Sequence, residues 1–261
     1  MSEARWIDAH THLDFPAFDA DRDAVLARAS QAGVRRVVVC GADPSDWDRV
    51  ERVAAAYGAW WTLGVHPWWV AELHDDALDR AVDRLRARPT PHGLGETGLD
   101  YRTRDAAVRA RQLRSFQAHL ELAMQRDVPV VLHVVRAYPD ALRAVERVGL
   151  PPAGGMVHSW SGDARDVRRA LRLGLCVSFS ASVLRSDRVL AACAEVPLDR
   201  LLLETDAPDQ PLVPGTRGEP ADVVPLAHQL GARLGVDPVE LLEASAKNAS
   251  RLFSRRGEPE G

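Results

Sequence analysis

The chain has 261 residues, 46% apolar and 27% charged, the balance of an ordinary globular protein and unlike a disordered or fibrous one. Its 33 basic and 37 acidic side chains leave a formal charge of −4, which excludes the broad positive field of a protein that coats duplex nucleic acid. No stretch reaches the roughly 18 uninterrupted apolar residues of a membrane helix, and MSEARWIDAH lacks a basic-then-apolar leader, so a cytoplasmic protein with no membrane insertion is expected.

In chain order, short apolar runs alternate with helical patterns. WIDAH (6–10) opens the series as a strand, followed by a helical pattern near 21–32. RVVVCGA (36–42) and WWTLGVHP (60–67) are the next strands, followed by helical patterns near 45–57 and 76–87. HGLGETGLD (92–100) precedes the clearest helix, 105–127, where Leu113, Phe116, Leu120 and Met124 recur at three- and four-residue spacing. VPVVLHVV (128–135), GGMVHSW (154–160), LCVSFSAS (175–182) and RLLLETD (200–206) complete the strands. Helices near 138–148, 163–173, 186–195, 221–234 and 238–252 complete the pattern. Ser45, Asp163 and Ser186 suit helix starts, and Gly33, Gly149 and Gly174 suit helix ends.

Continuous apolar strands separated by helices imply a parallel sheet covered on both faces, and eight such units at this length favour closure into a (β/α)8 TIM barrel of the α/β class. The rival, an open doubly wound sheet, usually advertises a GxGxxG or GxxxxGK[ST] phosphate loop, and neither occurs. One barrel domain over 1–254 is expected, with a disordered tail at 255–261. Cys40, Cys176 and Cys193 are scattered without CxxC spacing, which fits reduced, buried thiols.

Residues two apart in a strand share a face, so Asp8, His10 and His12 project together. Such a pair of imidazoles can bite one metal ion, or it can hydrogen-bond locally. Glu96, His133, His158 and Asp206 stand at the C-terminal ends of later strands, where a barrel has its active-site mouth. Polar groups ending apolar runs are costly to bury without partners. Four imidazoles and two carboxylates are enough for two ions sharing a bridging carboxylate. Asp8 is a candidate partner for an imidazole N–H.

DAHTHLDF, GVHP, GETGLDY, LH followed by Arg136, VHSWSG, LLLETDAP and KNASRLF, in this order and over nearly the whole chain, resemble the TatD family of metal-dependent deoxyribonucleases within the amidohydrolase superfamily. The resemblance implies that His10, His12 and Asp206 bind one ion, that Glu96 bridges, and that His133 and His158 bind the second. It implies Mg²⁺ or Mn²⁺, with Zn²⁺ possible. Asp206 would receive the proton of the attacking water, and Glu204 reads either as a further catalytic carboxylate or as a salt-bridged supporting group. His66 would meet a substrate phosphate. Arg102, Arg136, Arg185 and Arg217 follow strands and could pair with phosphates, while Trp68, Trp69, Tyr101 and Trp160 could stack on bases. Arg104, Arg109, Arg111 and Arg114 read instead as a solvated helix face. Gly218 stands where relatives commonly carry Asn.

The implied activity is 3′-5′ hydrolysis of single-stranded DNA, or RNA, from its ends by a monomer. Two other readings stand beside it. One is a superfamily hydrolase of a small lactone, amide or phosphoester, against which the lysine that many two-metal relatives carboxylate as a bridge is missing. The other is a metal-binding regulatory protein without catalysis.

Overall fold

The computed structural model describes residues 5–255. Its strands are β1 (Trp6–Thr11), β2 (Val34–Gly41), β3 (Trp60–Leu63), β4 (Gly93–Asp100), β5 (Val130–Val135), β6 (Gly155–Val157), β7 (Cys176–Phe179) and β8 (Leu201–Leu203). The helices are α1 (Arg22–Gln31), α2 (Trp47–Tyr57), α3 (Pro67–Glu72), α4 (Asp75–Ala87), α5 (Ala106–Arg126), α6 (Tyr138–Val148), α7 (Ala164–Arg172), α8 (Asp187–Cys193), α9 (Val223–Leu234) and α10 (Pro238–Phe253). The strands are parallel and ordered β1 to β8 around one sheet. A parallel bridge between Thr11 and Ala207 closes it. Asp206 N–H donates to the His10 carbonyl at 3.0 Å and His12 N–H to the Ala207 carbonyl at 2.7 Å, so two site residues stand on the closing seam. The architecture is the expected α/β TIM barrel.

The main apolar core lies between the strands and the surrounding helices, with Phe116, Leu120, Val130, Leu132, Val177 and Leu203 fully buried. A second group, including Val38, Trp60, Val131, Met156 and Leu202, continues into Ala249 and Phe253 of α10, the helix packed on β1 and β8. Cys40, Cys176 and Cys193 are buried and free. Among the described residues no helix is long and apolar enough to cross a membrane.

Several expected boundaries are corrected. The ladder of β3 stops at Leu63, that of β6 at Val157 and that of β8 at Leu203, so His66, His158 and Asp206 lie just beyond the strands. Their amides are nonetheless still held by the neighbouring strands: His66 N–H donates to the Ala42 carbonyl, His158 N–H to that of Leu132 and Asp206 N–H to that of His10. Trp68 and Trp69 sit on α3, whose N-cap His66 accepts the Trp68 N–H. Of the periodic apolar residues of α5, Met124 is 39% exposed, and the buried face of the helix also carries the polar Gln112, Ser115 and His119. Gln112 bonds Asp100 N–H and the Pro67 carbonyl, while His119 Nε2 accepts Val65 N–H at 3.2 Å. Of the expected tail, 256–261 lies outside the described residues.

Gly95 and Gly98 let β4 run hard against β5. Their φ angles are +144° and +138°, and a Cβ would stand 2.3 Å from the Val131 carbonyl oxygen and 2.1 Å from that of His133. Any side chain there would push Glu96 and His133 apart.

Candidate metal centre

The six expected ligands converge at the C-terminal mouth. On one side His10 Nε2 and His12 Nε2 are 3.4 Å apart, and each faces Glu96 Oε2, at 3.5 and 3.2 Å, and Asp206 Oδ1, at 3.6 and 3.5 Å. Four donors bonded at about 2.1 Å to a tetrahedral ion would stand about 3.4 Å apart. On the other side Glu96 Oε1 is 3.2 Å from His133 Nδ1 and 2.6 Å from His158 Nε2, which are 3.0 Å from each other. These tighter edges approach the roughly 3.0 Å cis edge of an octahedral site with bonds of about 2.1 Å. Glu96 thus directs one oxygen into each cluster. His66 Nε2 lies 3.6 Å from Glu96 Oε1, and His66, Glu96 and His133 form a third set that could hold an ion. The rings of His10 and His158 stack at 4.0 Å between the clusters.

The carboxylates and imidazoles hold one another charged. Burial opposes charge on both carboxylates, yet the imidazoles outweigh it. His158, His66 and His10 hold Glu96 well below the ordinary carboxylate range, and the His12 hydrogen bond with the His158 and His10 charges lowers Asp206. In turn, burial disfavours charge on His12, but its bonds to Asp206 and Glu96 raise it well above a free imidazole; Glu96 and Glu204 do the same for His158 against its burial. Two buried carboxylates inside a ring of imidazoles need compensating positive charge, which the protonated imidazoles supply when no ion is bound and which an ion would supply in their place. Divalent ions on these donors would supply it, so the residues present fit the metals that the sequence implies.

Supporting groups fix the imidazoles. His12 Nδ1 meets the Cys40 carbonyl at 2.8 Å, His133 Nε2 lies 3.4 Å from Asp100 Oδ2, and His158 Nδ1 lies 3.5 Å from Glu204 Oε1. Glu204 is fully buried and spends its other bonds on Ser159 N–H and Ser178 Oγ–H. Its carboxylate is closed off from solvent beside His158, an arrangement that favours the supporting role over the catalytic one. Asp8 is also corrected. It accepts the amides of His10 and Thr205 and the Thr205 hydroxyl, not an imidazole N–H, and burial pushes its carboxyl up to about 8. His66 is buried, and burial together with the His133 charge holds it well below the usual imidazole range. Its Nδ1 accepts Trp68 N–H at 3.1 Å, so the neutral ring carries its proton on Nε2, toward the site.

The cleft above these donors has two lobes. One, about 230 Å³, is walled by Phe15, His66, Trp68 and Trp69. The other, about 500 Å³, is lined by Arg102, Ser159, Ser161, Ser182, Arg185 and Gln210. Trp68, His133, His158 and Asp206 border both.

Arg102 therefore faces the cleft, whereas Arg136, exposed directly after β5 with φ 56°, lines neither lobe. Trp160 does not face it: 1% exposed, it packs on Tyr138 at 4.4 Å, so it has no face for a base. Arg217 is held by Asp21, Glu219 and the Ala17 carbonyl, away from any phosphate. Arg109 and Arg111 are half-buried and tie α5 to the carbonyls of Thr103 and Ala71, so only Arg104 and Arg114 keep the expected exposure. At Gly218 a Cβ would stand 2.9 Å from the Asp209 carbonyl oxygen, which leaves no room for Asn without a shift.

Sequence reasoning missed Asp100. It accepts the Trp68 indole N–H at 2.9 Å and the Arg102 guanidinium while facing His133. Its position four residues after Glu96, on the same strand face, was the available signal. It also missed the left-handed backbone of Ser159 and Asp206, φ 41° and 55°, which turns these strand ends into the mouth.

A family profile described as TatD related DNase matches residues 7–254. The metal-dependent hydrolase YjjV of Escherichia coli K12 is 36% identical over 220 residues, covering 83% of this chain and 84% of the relative. The solved YjjV structure superposes with a TM-score of 0.87 at 32% identity, covering 96% of this chain and 98% of that one. A protein of Cronobacter sakazakii named 3′-5′ ssDNA/RNA exonuclease TatD is 31% identical over 262 residues, covering 97% and 99%.

Proposed function

The chain belongs to the TatD-related DNase family and is a metal-dependent hydrolase, and from that premise we propose that it removes nucleotides from the 3′ ends of single-stranded DNA or RNA with two divalent ions. The observation that carries the reading is one carboxylate, Glu96, offering Oε2 to His10 and His12 and Oε1 to His133 and His158. Asp206 completes the first cluster. The donor set suits Mg²⁺, Mn²⁺ or Zn²⁺. The substrate class follows the name of the Cronobacter sakazakii relative and the aromatic and arginine-bearing lobes of the cleft.

Bound ions would supply Lewis acidity and make coordinated water acidic near neutral pH. The chain's own residues do the rest. Asp206, ionised and 12% exposed in its side chain, borders both lobes and accepts the proton of the attacking water. His66 donates a hydrogen bond from its Nε2–H to a phosphate oxygen. Arg102 in the cleft holds further phosphate charge. Glu96 keeps the two clusters at a fixed spacing, and Glu204 and Asp100 keep His158 and His133 turned toward it.

The test is incubation of 3′-labelled single-stranded DNA with Mg²⁺, Mn²⁺ or Zn²⁺, beside a chelator control and a His133→Ala variant. Release of the label with the first nucleotide removed is expected only from the metal-loaded wild type. Intact DNA in every metal, with turnover of a small ester or lactone, would replace this reading with the small-substrate one. Two bound ions and no turnover of either would favour a regulatory role.

A further inference from the structure

The chain has seven tryptophans, and two consecutive ones, Trp68 and Trp69, are 55% and 39% exposed. Both wall the smaller lobe, whose floor is His12, Glu96, His133 and Asp206. The other five are buried or half-buried.

Trp68 is exposed but not loose. Its indole N–H is held by Asp100 at 2.9 Å, its ring meets the His66 ring edge-on at 4.8 Å and 76°, and the Arg102 guanidinium covers it at 5.1 Å. Across the lobe Phe15 lies flat against the His12 ring at 4.6 Å and 19°. An aromatic ring fixed at three points has already lost its rotamer freedom, so stacking a planar ligand on it costs little further ordering. At about 230 Å³ the lobe is smaller than the roughly 300–1,000 Å³ of a drug-sized site. It admits one flat heterocycle. The larger lobe beside it carries the hydroxyls of Ser159, Ser161 and Ser182 and the guanidiniums of Arg102 and Arg185, together with Asp206 and Asp209; Arg102 is paired with Asp100 and Arg185 with Gln210 and the Pro211 carbonyl, and each guanidinium keeps N–H groups for a phosphate or sugar oxygen.

We propose that the Phe15, Trp68 and Trp69 lobe is a nucleobase subsite that stacks the terminal base beside the metal centre, while the serine and arginine lobe takes the adjoining phosphodiester. This rests on the nuclease reading and narrows it to an end with an unpaired base. Stacking is sequence-tolerant, so all four bases fit.

The probe is metal-loaded protein with a short single strand whose last linkages are phosphorothioates, ending in 2-aminopurine or in an abasic residue. Wild type is expected to bind the base-bearing end about ten-fold more tightly than the abasic end, the scale of one base–aromatic stack, and to quench the 2-aminopurine. Trp69→Ala, a change at a wall residue that is not itself a proposed ligand, should bring that ratio close to one. Trp69→Phe should keep most of it and controls for folding. A wild-type ratio of one, or a ratio that Trp69→Ala leaves intact, overturns the subsite while cleavage of unmodified DNA in Mg²⁺ or Mn²⁺ still upholds the nuclease. Absence of that cleavage fails both. Adsorption to phosphatidylcholine vesicles that Trp69→Ala abolishes, in place of oligonucleotide binding, assigns the indoles to a lipid surface and also overturns the proposal.

Discussion

Glu96 and Asp206 divide the work at the mouth, and substitution separates their parts. Glu96→Gln removes the charge shared by both clusters and should cut bound metal from two ions to one or none, read by equilibrium dialysis with elemental analysis. Asp206→Asn should retain metal at the His133 and His158 side yet lower kcat about 10²- to 10⁴-fold, the usual contribution of a positioned base. A different residue governs acid stability. His119 is fully buried, and burial holds its imidazole down at about 4 against an ordinary 6.5. The unfolded chain takes up that proton below about 6.5 and the native chain only below about 4. The contribution is therefore complete above 6.5 and lost as the pH falls through 4, an effect of about 3 kcal/mol. His119→Gln should flatten the pH dependence of denaturant stability across that window. An unchanged slope would remove His119 from the account.

At the scale of elements, backbone clearance and helix caps carry different weights. Gly98→Ala would set a Cβ 2.1 Å from the His133 carbonyl oxygen at φ +138°, and should cost upwards of about 4 kcal/mol because β4 and β5 must separate. Asp105 caps α5 by accepting Ala107 and Val108 N–H at 2.8 and 3.3 Å, and Asp105→Ala should cost only about 1 kcal/mol. Urea unfolding ranks the two. These elements also show what the sequence made legible. The eight apolar runs located every strand and the strand-end histidines, because a barrel strand is buried on both faces and its pattern is continuous. The same continuity hid the strand ends. WWTLGVHP reads as one strand, yet pairing stops at Leu63 and His66 caps a short helix. Facing directions of side chains on loops and on the six-residue α3 were illegible, since no sustained periodicity binds them: Trp160 turns into the core and Trp68 to the surface. Asp100 and Glu204 share strand or strand-end faces with proposed ligands, but their partners come from other strands and appear only when the barrel closes.

Over the whole molecule, the closed barrel brings together charges that the isolated chain would keep apart. Ion binding should therefore stabilise the native state. At a free metal concentration 100 times Kd, one site adds about 2.7 kcal/mol, which for a chain of this size raises Tm by about 5–10 °C. Chelation should reverse it, and a Tm indifferent to metal would deny the coupling. The central claim is that His10, His12, Glu96, His133, His158 and Asp206 form one two-ion centre. Anomalous diffraction from crystals of the Mn²⁺-loaded protein tests it most directly. Two peaks about 3.5–4 Å apart, one on each side of Glu96, are predicted. A single peak, or manganese bound elsewhere with these side chains unligated, would contradict it.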